Sequence, residues 1–157
     1  MAHDPAKSPL ALIDHILQRY HAEHRADLAA LLPLARKVET VHGDQDEAPL
    51  GVTDLLTALA TDLEQHMAKE EQVLFPLMRQ GGHPMIAQPI AVMRQDHAEA
   101  EALTEKLRLL TRDFTPPAGA CGSWRGLYAG IEKLVSDLKE HMILENDVLF
   151  PAFAPVA

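Results

Sequence analysis

His66-Met67-Ala68-Lys69-Glu70-Glu71-Gln72-Val73-Leu74-Phe75-Pro76 returns 75 residues later as His141-Met142-Ile143-Leu144-Glu145-Asn146-Asp147-Val148-Leu149-Phe150-Pro151, with seven of the eleven positions identical. Each copy sets a His and a Glu four residues apart, ahead of an apolar run that ends in Pro. On a helix, residues i and i+4 lie about 40° apart around the axis, one above the other. Each copy therefore offers an imidazole and a carboxylate on one helical face.

Working outward, the chain divides into four segments with helical periodicity, separated by turn residues. The first runs from about Pro9 to His42, with Leu10, Ile13, Leu17, His21, Leu28, Leu31, Leu32 and Ala35 at three- and four-residue steps. Pro33 lies inside it and is expected to kink or interrupt it. The polar stretch 42–49 reads as a loop. The second segment spans about Leu50 to Arg79, with Leu56, Leu59, Leu63, His66 and Val73 inward, and ends at Gly81-Gly82. The third runs from about Met85 to Asp113, disturbed near Pro89, with Met93, His97, Ala100 and Leu107 inward. After the break Thr115-Pro116-Pro117-Ala118-Gly119, the fourth spans about Ser123 to Leu149, with Leu127, Ile131, Leu134, Leu138, His141 and Val148 inward; Pro151 is expected to stop it. Four such helices on short loops predict an all-α, up-down-up-down four-helix bundle. The expected organisation is one domain over residues 1–157, with the bundle from about 9 to 153.

The duplication extends to the other two helices. Arg19-Tyr20-His21-Ala22-Glu23 is matched by Gln95-Asp96-His97-Ala98-Glu99, at an offset of 76. The chain thus reads as two helical hairpins, each giving a lone His from its first helix and a His-x-x-x-Glu pair from its second. Six polar groups, His21, His66, Glu70, His97, His141 and Glu145, fall on or near inward stripes. Buried without partners, such groups cost several kcal/mol each, on the order of 2–7 for a neutral one. Metal ions satisfy them together: two carboxylates bridge two ions and leave two imidazoles for each. Imidazole with carboxylate suits iron, manganese or zinc, not calcium or magnesium. The bland alternative is a set of core histidines bonded to nearby carboxylates, since single His/Glu pairs at this spacing are common helix supports. The matched repeat weighs against it.

Other residues are secondary. His24 is expected as a spare ligand, a donor behind the site, or a solvated neighbour of Arg25. Glu101, four after His97, is expected as a charged flank or a group behind the site, while Glu71 should point away from it. His3, His42 and His83 are expected to be solvated, and Cys121, before Gly122 at a helix start, to be inert unless exposed. The Leu-Phe-Pro triplets are read as core plus helix stop.

Composition narrows the function classes. Apolar residues are 47% and aromatics 4%, which suits helices better than sheets. A net charge of −9 argues against a nucleic-acid partner. A single cysteine excludes an intrachain disulfide and fits a reducing compartment, so a cytoplasmic location is expected. No secretory signal is visible at Met1 to Pro9, and no apolar run is long enough to span a membrane.

Tyr20-His21-x-x-His24-Arg25, the two long copies quoted above, Pro89-Ile90-x-Val92-Met93-x-x-x-His97, Thr115-Pro116-Pro117-x-x-Ala120-Cys121 and Trp124 together resemble the hemerythrin-like domain of the bacterial family named for repair of iron centres. The resemblance covers about residues 10–153. It implies a non-haem centre of two iron ions with an oxo or hydroxo bridge. His21 and His141 would serve one iron, His66 and His97 the other, and Glu70 and Glu145 would bridge both. It further implies a role in nitrosative and oxidative stress: repair of iron-sulfur clusters by iron donation, binding or reduction of nitric oxide, or both. The alternative is a module that binds or senses O2 or NO without turnover. Damaged iron-sulfur proteins and a diatomic ligand are the implied partners. Two departures matter. The family usually carries an N-terminal domain with adjacent cysteines, and this sequence has no such pair, which argues against a role resting on those thiols. Oxygen-carrying hemerythrins use five histidines; here Glu101 stands where the third helix would carry another, which argues against oxygen transport.

Overall fold

A computed structural model describes residues 8–154; His3 lies outside them. Among the described residues there are four long helical rods and no strand. The rod α1 comprises Pro9–His15, a π-helical turn Ile16–His21, and Ala22–His42. The rod α2 comprises Val52–Lys69, a π turn Glu70–Leu74, and Phe75–Arg79. The third, α3, is Ala87–Leu110; α4 comprises Gly122–Leu144, a π turn Glu145–Leu149, and Phe150–Phe153. α2 packs on α1 and α3, and α4 on α1 and α3.

Two apolar clusters show the up-down-up-down order directly. One joins Leu28 to Val38 of α1, Val52 to Met67 of α2, Ala100 and Leu107 of α3, and Trp124 to Met142 of α4. The other joins the opposite ends: Leu12 to Tyr20, Leu74 to Met78, Ile86 to Met93, and Leu149 with Phe150. The polar residues of the repeat lie between these clusters, so each end of the bundle is held by its own core.

The structure departs from the periodic reading at several places. Pro76 and Pro151 do not stop their helices, which run on to Arg79 and Phe153. A proline lacks the N–H that would close an α turn. Just ahead of each one the chain takes a wider turn, in which the N–H of Phe75 donates to the Glu70 carbonyl and that of Phe150 to the Glu145 carbonyl. A π turn spends one extra residue and shifts the inward stripe. Val73 and Val148, expected inside, are consequently exposed, and Leu74 and Leu149 take their places in the core. The helix also passes Pro33 without interruption. Pro89 sits in the first turn of α3, where its missing N–H has no helical partner to lose.

α3 ends at Leu110 rather than Asp113, because Arg112, Asp113 and Phe114 all adopt positive φ (51°, 58° and 59°). The Asp113 N–H donates back to the Arg108 carbonyl (2.8 Å), and the Phe114 N–H to the Thr111 hydroxyl (3.1 Å). α2 begins at Val52, not Leu50, after Gly51 at φ 96°; Glu39 of α1 supplies the missing cap by accepting from the Thr53 N–H at 2.6 Å.

Candidate metal centre

His21 ends the π turn of α1, and Glu70 and Glu145 open those of α2 and α4, so three of the six repeat residues sit where the helix is locally widened. Such turns inside α-helices are frequent at functional sites. All six are buried: His21, His141, Glu70 and Glu145 are at most 1% exposed, and His66 and His97 are 4% and 3%.

The inward atoms converge. Glu70 Oε1 lies 3.1 Å from both His21 Nε2 and His66 Nε2. Glu145 Oε1 lies 2.9 Å from His97 Nε2 and 3.2 Å from His141 Nε2. His66 Nε2 and His97 Nε2 approach to 3.2 Å. Two overlapping groups result, His21-Glu70-His141-Glu145 and His66-Glu70-His97-Glu145, each with ligand atoms within 4.8 Å of one another. Both carboxylates belong to both groups, and each group draws one His from each hairpin.

The outward nitrogens fix the tautomers. His21 Nδ1–H donates to Glu71 Oε2 at 2.7 Å, and Arg25 holds that carboxylate at 2.9 and 3.0 Å. His97 Nδ1–H donates to Asn146 Oδ1 at 2.8 Å, and His66 Nδ1 lies 3.4 Å from Asp96 Oδ2. His141 Nδ1 lies 3.1 Å from His24 Nε2. With the proton outside, each Nε2 presents a lone pair inward, the state a metal ligand requires. Phe75 stacks on His21 and Phe150 on His97, both with ring centroids 5.8 Å apart.

The protein alone does not satisfy this arrangement. Glu70 Oε2, Glu145 Oε2 and His141 Nε2 are buried without a hydrogen-bond partner. Burial, then the charge of Glu145, drives the Glu70 carboxyl well above the usual carboxylate range, so one member of the pair holds a proton. Burial, then His141, lowers His21 to about 4 and His24 to about 3, which leaves both imidazoles neutral. Orphaned oxygens, neutral imidazoles and carboxylates in conflict are what bound cations would resolve, so the residues fit two metal ions.

Several expectations are corrected. Glu71 does not point away: although it is 140° from His66 on its own helix, it faces α1 and holds His21. Burial pushes its carboxyl up, but hydrogen bonds from Arg25 and His21 outweigh that and keep it below the usual range. His24 is not a solvated neighbour of Arg25; it is fully buried behind His141. Glu101 is exposed and takes no part. His83 is exposed, whereas His42 is half-buried, 3.1 Å from the exposed Cys121 Sγ, with its ring 5.0 Å from Trp124. Neither helical periodicity nor the repeat marks Asp96 and Asn146 as supports. Each directly adjoins a repeat residue, as Glu71 does, and that adjacency was the available signal.

A family model matches residues 12–153, described as the hemerythrin HHE cation binding domain. The chain belongs to the hemerythrin HHE family. It is 48% identical over 144 residues to the iron-sulfur cluster repair protein YtfE of Salmonella typhimurium, covering 91% of this chain and 66% of that protein. It is 47% identical over 140 residues to the probable iron-sulfur cluster repair protein of Haemophilus influenzae, covering 89% of this chain and 63% of that protein. The chain thus spans about two thirds of the length of these relatives. As an HHE domain it carries buried His/Glu groups suited to a metal cation. Among its described residues, no helix is long and apolar enough to cross a membrane.

Proposed function

We propose that this bundle, as a single domain, holds two iron ions and serves repair of iron-sulfur clusters under nitrosative and oxidative stress, in the cytoplasm. The observation that carries the reading is the sharing of Glu70 and Glu145 between two histidine pairs, with their Oε2 atoms left unpartnered. His21 and His141 would hold one ion, His66 and His97 the other, with both carboxylates bridging. The similar proteins of Salmonella typhimurium and Haemophilus influenzae are named for iron-sulfur cluster repair, which supports that process here. Bound iron would supply a redox-active pair with fewer than six protein ligands on each ion. The chain's own contribution is to hold four imidazoles by their Nδ1 atoms, to bring two carboxylates together, and to flank them with apolar clusters on both sides.

Iron donation to damaged clusters is the leading form of this activity, with damaged iron-sulfur proteins as partners. A second form, binding or reduction of a diatomic molecule such as NO, is favoured by a cavity of about 60 Å³ that reaches His66, His97 and His141 from the surface between α2 and α3. Metal analysis after ferrous reconstitution tests the centre: about two irons per chain are expected. Retention of clearly fewer sinks the bridging model. Incubation of the iron-loaded protein with an apo cluster protein tests donation, which should restore the cluster with matching loss of iron. Anaerobic NO titration separates turnover, read as nitrous oxide over several equivalents, from a stable stoichiometric adduct.

A further inference from the structure

The repeat pairs His21 with His97 at an offset of 76, and the same offset pairs His24 with Ala100. Both positions are buried on the inward face, at 0% and 5% exposure. In the first hairpin the position is filled by an imidazole stacked on His141, with centroids 5.2 Å apart. Tyr20 adds a second stacked ring over His141 at 5.5 Å. In the second hairpin the position is a methyl group, and the space beside it is the cavity of about 60 Å³ lined by Leu63, His66, His97, Ala100, Leu138 and His141 among others. A single water needs roughly 10–15 Å³, so the cavity has room for a diatomic or triatomic molecule.

His24 is an unusual core residue. Its Nε2 faces the Nδ1–H of His141, while its own Nδ1 is buried with no hydrogen-bond partner among the described residues. A buried unmet donor costs about 1–3 kcal/mol, which an apolar residue of similar size would avoid. The position is therefore not filled to best advantage for stability alone.

We propose that His24 is a positioning residue that holds His141 and backs the ion position between His21 and His141, of which only His141 meets the cavity, whereas its counterpart Ala100 leaves the position between His66 and His97, both of which line the cavity, as the one a small ligand chiefly reaches. This rests on the two-ion reading above. His24 acts by accepting the His141 Nδ1–H, which keeps the His141 Nε2 lone pair inward. Partners behind ligating histidines change metal affinity by about 10–100-fold when removed. Ala100 acts by its small size.

The test uses the full chain reconstituted with ferrous iron and oxidised, with azide as the small-ligand probe and a strong iron chelator as the competitor. One azide per two irons is expected for the unaltered chain. Ala100→Met should weaken azide binding at least about tenfold while both irons stay bound, and Ala100→Val should do so less. Chelator extraction should show two phases. His24→Ala should accelerate one of them about 10–100-fold, and His24→Gln, whose amide oxygen can accept the same hydrogen, should largely restore it. Unchanged azide binding in Ala100→Met overturns the proposal, as does His24→Ala accelerating both phases alike or neither. If the unaltered chain holds fewer than two irons, the two-ion reading itself falls, and this inference with it. Two irons with unresponsive variants would leave the reading standing and remove only the inference.

Discussion

The hairpin of α1 and α2 offers His21, His66 and Glu70; that of α3 and α4 offers His97, His141 and Glu145, and each residue has its counterpart 75 or 76 positions away. Behind these residues the halves diverge. Glu71 holds His21, but its counterpart Asn146 holds His97. Tyr20 stacks on His141, but its counterpart Asp96 faces His66 Nδ1. His24 fills space that Ala100 leaves open. The repeat is kept where atoms converge on a shared point, because Glu70 and Glu145 belong to both ligand groups and two ions held there, as proposed, would impose the same demand on both halves. It is lost one layer out, where the demand is only that each Nδ1 find an acceptor, and a carboxylate, an amide or another imidazole each meets it.

The most severe way to break the comparison is to remove a bridge. Glu70→Ala and Glu145→Ala should each abolish retention of both irons, because each carboxylate belongs to both groups. His66→Ala and His141→Ala, which are repeat counterparts, should each cost chiefly one ion. Metal analysis of the four purified variants checks this. If the Glu variants keep one ion as firmly as the His variants do, the carboxylates are not shared.

Stability should respond next. Phe75 and Phe150 are repeat counterparts, 1% and 0% exposed, and each backs a histidine. Truncation of either to Ala should cost about 3–5 kcal/mol by chemical denaturation. Phe150 also carries the Arg94 guanidinium 5.6 Å from its ring centroid. Phe150→Ala should therefore exceed Phe75→Ala by about 0.5–1 kcal/mol, and equal costs would mean that this contact adds nothing.

These residues also mark how far the sequence could be read. The bundle, its four helices and the six convergent residues were legible because a 75-residue repeat superimposed two readings of one helical face. The register after Glu70 and Glu145 was not. An α-helical projection carries the inward stripe to Val73 and Val148, whereas a π turn ahead of each proline moves it to Leu74 and Leu149. Nor was the support layer legible, since a single-helix projection places Glu71 by its angle to His66 and says nothing of what it meets on α1. The sequence alone does not decide the burial of His24, because its neighbour Arg25 is charged and its repeat counterpart is an alanine.

Exchanging the acceptors sharpens the contrast between Glu71 and Asn146. A carboxylate behind an imidazole makes it a more basic ligand than an amide does, and such changes alter metal affinity by about 10–100-fold. Glu71→Gln should weaken the ion at His21 by an amount in that range while leaving the fold intact. Asn146→Asp should tighten the ion at His97. Competition with a calibrated chelator reads both. If the two substitutions shift affinity in the same direction, the acceptor's charge is not what matters.

The gentlest contrast is titration of the metal-free protein. His21 and His24 are lowered from 6.5 to about 4 and about 3 by burial and by His141, so as pH falls below 6.5 the unfolded chain takes up two protons that the folded chain refuses. Stability is therefore present above 6.5 and is lost as pH falls toward 4. Glu70 works in the opposite sense: raised by burial and by Glu145, it is protonated in the folded chain while the unfolded chain is still ionised down to 4.5. The two lowered histidines outnumber the one raised carboxylate, so on balance unfolding takes up protons as pH falls from 6.5 toward 4.5. The denaturation midpoint of the metal-free protein should fall across that window. His24→Gln removes one histidine from the balance and should make the slope shallower, whereas Ala100→Gln in the other hairpin should leave it unchanged. An unaltered slope in His24→Gln would mean that the His24 imidazole already titrates in the folded chain as it does in water.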